Sequence, residues 1–195
     1  GKGEQAVAAR IGGRSAHAGR NPEDGRNAIL AAADLALSLD ALRLDHAGLS
    51  VNVAKVDGGS ANNVVPDLAV LRWNMRVTGP EMQVVAATDV AAIIADVASR
   101  RDVEIAINGG FYRPAKPMDA RSERLFAIVE DAGRDLGLAL PRHDSGGVCD
   151  GNNLAAVGVA VVDTLGVRGG NIHSEQEYCV IESLTERAQL TFLTL

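Results

Sequence analysis

The stretch from about Leu68 to Val77 carries the cleanest alternation of apolar and polar positions in the chain. Ala69, Leu71, Trp73, Met75 and Val77 fall on one side, and Arg72, Asn74 and Arg76 on the other. Successive side chains of a strand point to opposite faces, so this stretch predicts a strand with one face in a core and one face wet. The same period over Val7, Ala9 and Ile11, over Leu49, Val51 and Val53, and over Val103, Ile105 and Ile107 predicts three more strands. Between them the period becomes helical. Asn21-Pro22-Glu23-Asp24 offers a cap, a proline for the first turn and two acids, and Ile29, Ala33, Ala36 and Leu37 form the stripe of a first helix. Val90, Ile93, Ile94 and Val97 mark a second helix after Gly79-Pro80, and Asp57-Gly58-Gly59-Ser60-Ala61-Asn62-Asn63 predicts a hairpin connection.

The order β-α-β-β-α-β is that of the split βαβ, or ferredoxin-like, sandwich: an α+β unit with both helices on the apolar face of an antiparallel sheet and the second and fourth strands at its edges. Gly109-Gly110 and Arg113-Pro114-Ala115-Lys116-Pro117 interrupt the pattern and set the expected boundary, with residues 1–112 in one domain and 113–195 in another. In the second, Leu125, Ile128, Val129, Ala132 and Leu136 predict a helix ended by Gly137, and Ile181, Leu184, Thr185 and Ala188 begin a last one. The continuous run Val159-Ala160-Val161-Val162 predicts a strand buried on both faces. About 80 residues with a single strand bury only a marginal core, so this second domain is expected to be an incomplete α/β domain.

Charge and composition narrow the partners. A net charge of -6 and only one Trp, two Tyr and three Phe leave neither an electrostatic footprint nor stacking platforms for nucleic acid. No apolar run approaches the length of a membrane span and the first residues are not a signal peptide, so no membrane partner and a cytoplasmic location are expected. Cys149 and Cys179 are sparse enough to fit a reduced compartment.

Candidate chemistry lies in two loops. Ser15-Ala16-His17-Ala18-Gly19 and Gly169-Gly170-Asn171-Ile172-His173-Ser174-Glu175 each hold a histidine near glycine in a polar turn, where imidazole can meet a metal or a substrate. His46 and His143 lack such a setting and read as solvated. The chain has no His-x-Asp, no Glu-Glu pair and no Cys-x-x-Cys, so no metal site closes from local motifs. Arg76 fits either the wet face of a one-sided sheet or a carboxylate-binding fork. Gly146-Gly147 fits either a flexible turn or a pair of backbone N–H donors, and Asp150 reads best as a helix cap.

These residues together carry a resemblance. Gly12-Gly13-Arg14-Ser15-Ala16-His17-Ala18-Gly19 with Gly25-Arg26-Asn27-Ala28-Ile29, then Gly58-Gly59 through Asn63-Val64-Val65-Pro66 and Arg76, resemble the lid, or dimerisation, domain of the zinc-dependent aminoacylase and carboxypeptidase metallopeptidases. Asp150-Gly151-Asn152 and the His173 loop resemble the C-terminal motifs of that family's catalytic domain. His-Ala-Gly-Arg-x-Pro looks most like its glutamate carboxypeptidases, relatives of acetylornithine deacetylase and succinyl-diaminopimelate desuccinylase.

The resemblance implies a ferredoxin-like lid followed by an incomplete zinc-peptidase domain, since the family's N-terminal ligand motifs are absent from this sequence. It implies a homodimer formed through the lid and a dinuclear zinc site whose bound water attacks an amide carbonyl. His17 would stabilise the oxyanion across the dimer, Asn63, Arg76 and Gly147 would bind a small peptide or N-acyl amino acid with a free, glutamate-like carboxylate, and His173 would be the one metal ligand present. Two rival readings stay open: a dimerisation module that has lost catalysis, and a ferredoxin-like regulatory domain. If the chain is a fragment of such an enzyme, it is expected on its own to hold zinc loosely and to be inactive, because a single ligand histidine leaves the zinc shell incomplete.

Overall fold

The strand with the cleanest alternation is an inner one. In the computed structural model, which describes residues 1–143 and 145–195, β1 (Gly3–Gly12), β2 (Ser50–Gly58), β3 (Leu68–Val77) and β4 (Glu104–Arg113) form an antiparallel sheet in the order β2-β3-β1-β4. Gly3 pairs with Val77 and Gly12 with Leu68, a register that puts Val7, Ala9 and Ile11 on the same face as Ala69, Leu71, Trp73, Met75 and Val77. All eight are buried beneath α1 (Ala28–Asp45) and α2 (Pro80–Arg101). The expected sandwich and its two edge strands are therefore present. Trp73 is the largest side chain in this core, and Trp73→Ala is expected to remove about 3–5 kcal/mol of stability, read as a lower midpoint in urea with an unchanged slope.

Within the four-stranded unit, three local expectations need correction. In α1 the buried positions are Ala28, Ala31, Ala32, Leu35, Leu39 and Leu42, whereas Ala33 and Leu37 of the expected stripe are exposed. This helix is apolar nearly all round, so its own periodicity does not choose a face, and packing on the sheet does. Its start is set by Asn27, whose side chain accepts hydrogen bonds from the N–H groups of Ile29 and Leu30. Second, α2 is 22 residues long with a mean hydropathy of 1.5 over its most apolar stretch, long and apolar enough to cross a membrane, contrary to the expectation that no run comes near that length. In this fold it lies on the sheet through Ala86, Val90 and Val97. Third, Gly109-Gly110 does not break β4, which continues to Arg113. Gly109 adopts φ +106° opposite Val7, with the Ala6 carbonyl where a side chain would stand, so a glycine is what lets the two strands close up.

The chain divides into two compact units, Gly1–Pro117 with Ser145–Asn152, and Met118–Asp144 with Asn153–Leu195. In the second, α3 (Ala120–Asp135) and α5 (Ser183–Thr194) pack around Val129, Ala132 and Leu190, and two-residue strands β5 (Gly169–Gly170) and β6 (Tyr178–Cys179) form a small hairpin. A short helix, α4, covers Gly151–Ala156. The apolar run from Val159 to Val162 makes no sheet pairing, because a strand covered on both faces needs neighbouring strands and none stands beside it among the described residues. Ile181 and Leu184, expected to begin the buried stripe of the last helix, are exposed.

Candidate functional site

Two loops fold against each other at the end of the sheet where β1 finishes and β3 begins. The Ala18 N–H donates to the Asn63 carbonyl at 2.9 Å, the Val65 N–H to the Ala16 carbonyl at 2.9 Å, and His17 pairs with Val64. Gly13 makes this possible: the Arg26 carbonyl occupies the place of its missing side chain, and its N–H donates to Asp67 at 2.8 Å. His17 and Asn63 are thus held in one exposed loop pair. The Gly19 N–H donates to His17 Nδ1 at 3.1 Å, which makes Nδ1 the acceptor and leaves the proton of the neutral ring on Nε2. An outward imidazole with a fixed Nε2–H is a suitable donor to an oxyanion.

Arg76 lies at the other end of the sheet, paired with Glu4 of β1 on one side and Ser50 of β2 on the other. Its Nη1 donates to the Gly146 carbonyl at 2.7 Å, Nη2 to Glu4 Oε1 at 3.3 Å and Nε to Asn74 Oδ1 at 3.4 Å. Lys2, Ser50, Val51, Asn52, Asn74, Arg76 and Gly146 line a cleft of about 340 Å³ beside it. Glu4 is the buried charge of this group, 9% exposed, and accepts from the Tyr112 hydroxyl at 2.5 Å and from Asn74 Nδ2 at 2.8 Å. Burial pushes its carboxyl up, but the hydrogen bonds from Tyr112 and Asn74 and the charges of Arg76 and Arg113 outweigh it and hold the group below its ordinary 4.5. A lowered carboxyl stabilises the fold above its unfolded pKa, and that contribution is lost as pH falls through the folded value. Tyr112 is shifted the other way, raised first by the same hydrogen bond to Glu4.

The segment carrying Gly146 and Gly147 is anchored by Asn152, which is buried and donates to the carbonyls of Lys2 at 2.9 Å and Pro114 at 2.7 Å. Asp150 accepts from Arg113 Nη2 at 2.8 Å. The Gly147 N–H donates to Ser145 Oγ at 2.9 Å, and it is the Gly146 carbonyl that meets Arg76. Asn152 stood in the sequence only as part of the Asp150-Gly151-Asn152 motif, and Glu4, Tyr112 and Arg113 were given no role in a site there. Glu4 lies on the wet parity of β1, but only the register with β3 sets it opposite Arg76.

The structure therefore joins His17 to Asn63 and Arg76 to Gly146, and keeps the two pairs apart. Leu68 and Arg76 are eight steps along one strand, on the order of 26 Å at the rise of a β-strand, so His17 and Arg76 of one copy do not meet. His173 belongs to the second unit, exposed between β5 and β6 at φ +68°, with its N–H donating to Glu177 Oε2 at 3.3 Å. Among the described residues no three His, Cys, Asp or Glu side chains are grouped to hold a metal.

Comparison with known proteins places this architecture. Residues 2–104 match the peptidase dimerisation domain. An uncharacterized protein of Bacillus subtilis is 30% identical over 190 residues, 94% of this chain and 49% of its own length. Two shorter matches, each covering 33% of this chain and 15% of the relative, are the indole-3-acetyl-aspartic acid hydrolase of Enterobacter agglomerans at 51% identity and one of the subunits of the p-aminobenzoyl-glutamate hydrolase of Escherichia coli at 49%. A tripeptidase crystal structure from Staphylococcus aureus superposes with a TM-score of 0.83 at 25% identity, covering 99% of this chain and 51% of that one. The chain spans about half the length of the longest of these curated matches. Its β-α-β-β-α-β sheet, its paired His17 and Asn63 loops and these matches lead to one assignment: the chain belongs to the M20 metallopeptidase family and carries that family's peptidase dimerisation domain.

Proposed function

We propose that this chain is the lid and the C-terminal share of an amide hydrolase that releases an acidic amino acid from an N-acyl or peptidyl conjugate. The observation that carries the reading is the Arg76 cleft: a guanidinium flanked by Lys2, Asn52 and Asn74 offers a carboxylate paired hydrogen bonds and positive charge in one place. The names of two relatives, hydrolases of an aspartic acid and a glutamate conjugate, support an acidic product. In this reading Arg76 and Gly146 shape the carboxylate subsite, Asn63 touches the substrate from the lid, and the Nε2–H of His17 donates to the carbonyl oxygen as negative charge develops there. Gly147 lies beside the subsite on the segment anchored by Asn152. Because His17 and Arg76 of one copy stand at opposite ends of the sheet, a site that uses both draws His17 from a second copy.

The zinc that the family implies does not fit the residues present on their own. A stable zinc site takes four ligands, and His173 stands exposed with no grouped partners among the described residues. His173 is proposed as one ligand of a shell completed from outside this chain, and cytoplasmic placement remains part of the same proposal. The chain by itself is expected to retain sub-stoichiometric zinc after dialysis and to leave N-acetyl-L-glutamate uncleaved. Stoichiometric zinc measured by atomic absorption, together with turnover, would refute this.

A further inference from the structure

We propose that Glu4 is a resident counter-ion of the Arg76 cleft, a specificity-determining residue that limits how tightly the cleft holds a carboxylate ligand. This rests on the reading of Arg76 as the carboxylate-binding residue. The placement is built into the sheet, since Glu4 sits directly opposite Arg76 in the β1–β3 register. It is also fixed: a side chain 12% exposed and bonded to Tyr112, Asn74 and Arg76 does not swing aside when a ligand arrives.

The contacts divide the guanidinium. Asn74 and Glu4 take its Nε–Nη2 edge, and Nη1 already donates to Gly146. An incoming carboxylate meets what is left, the Nη1–Nη2 edge, within the field of the Glu4 carboxylate. Two opposing effects follow from Glu4. It helps to orient Arg76, which should favour binding, and it repels a second negative charge, which should oppose it. Repulsion dominates, because Asn74 and Gly146 still hold the guanidinium when Glu4 is neutral, whereas the positive charge of Lys2 on the cleft wall is the same with or without Glu4 and does not remove the difference its carboxylate makes a few ångströms from the ligand. Such a device suits a hydrolase whose product carries the same carboxylate as its substrate, since a weak grip lets the product leave.

The test is calorimetric titration of the chain at neutral pH and low ionic strength with glutarate as the probe, and with its singly charged monoamide. Glu4→Gln keeps the side chain's shape and an oxygen for Asn74 and Arg76, with its NH2 donating to the Tyr112 hydroxyl, while removing the charge. It is expected to bind glutarate about five- to tenfold more tightly, with about a two- to threefold gain for the monoamide, and the gain should shrink in molar salt. A merely structural role for Glu4 predicts no dependence on ligand charge or salt. Arg76→Ala is expected to bind neither probe. Equal or weaker glutarate binding by Glu4→Gln, with binding abolished in Arg76→Ala, overturns the role of Glu4 alone. Undiminished binding by Arg76→Ala overturns the carboxylate reading of Arg76, and no binding by any of the proteins overturns both. Should Glu4→Gln lose cooperative unfolding, Asn52→Asp supplies the converse, placing a negative charge on the exposed cleft wall. It must weaken glutarate binding for the proposal to stand.

Discussion

Arg76→Lys in the full-length enzyme is expected to lower kcat/KM for an N-acyl acidic amino acid by about 10- to 200-fold, the worth of a charge-assisted hydrogen bond lost from a paired fork. Lysine keeps the charge but cannot donate at once to Asn74, Gly146 and Glu4, as the guanidinium does from its three nitrogens, and still offer a ligand a pair of hydrogen bonds. The loss should fall mainly on substrates with a free carboxylate, and an amidated analogue should be nearly indifferent. His17→Ala is expected to behave differently, lowering kcat by about 10²- to 10³-fold with little change in KM, because its partner charge exists mainly in the transition state. Kinetics on both substrates separates the two roles. An equal penalty on acid and amide would remove Arg76 from the carboxylate subsite, and an effect of His17→Ala on KM alone would remove the oxyanion role.

The distance between the two residues adds a second large effect. If each site takes Arg76 from one copy and His17 from the other, a mixed dimer of the His17→Ala and Arg76→Ala variants contains one intact site. Random mixing of the two inactive variants should then restore about a quarter of wild-type activity. The surface expected to serve such pairing is on the dimerisation domain. Leu30, Leu37 and Leu44 recur every seven residues along α1 and are 48%, 74% and 74% exposed, and β2 is an open edge of the sheet. Wild-type chain is expected to sediment as a dimer at micromolar concentration. Leu37→Glu with Leu44→Glu is expected to weaken association by at least about 100-fold, since each places a charge in an apolar contact, while leaving the monomer folded. Sedimentation showing a wild-type monomer at high micromolar concentration, or an unaltered dimer in the double variant, would refute the interface. Failure of the mixture to regain activity would refute the shared site.

How far the sequence could be read depended on whether a segment's pattern contained its own answer. β3 and β1 did: a period of two with one apolar face leaves only one way for each strand to lie on a core, and Trp73, Met75, Val7 and Ile11 are buried as their parity requires. α1 did not. With leucine or alanine at most positions, its stripe could lie on several faces, and Leu37, expected inside, is outside. The Val159–Val162 run reads as a doubly covered strand, yet hydrogen-bonded pairing is a property of neighbours, which no single run encodes. Gly109-Gly110 read as a break because glycine usually interrupts a strand, while here it lets β4 approach β1.

The candidate site divides in the same way. His17, Asn63, Arg76 and His173 stood out because loops and motifs preserve residue types in order along the chain. Which of them meet did not follow from that order. The sequence by itself determined the alternation of the inner strands, the β-α-β-β-α-β order of the sheet unit and the identity of the two histidine loops, since these depend on local period and local turn chemistry. Only the tertiary structure decided that Asn63 lies against the His17 loop, that Arg76 is claimed by Glu4, Asn74 and Gly146, and that the two groups occupy opposite ends of one sheet. The physical reason is that strand register brings residues far apart in the chain into hydrogen-bonding distance, and register is fixed by the buried face of the whole sheet rather than by any segment within it.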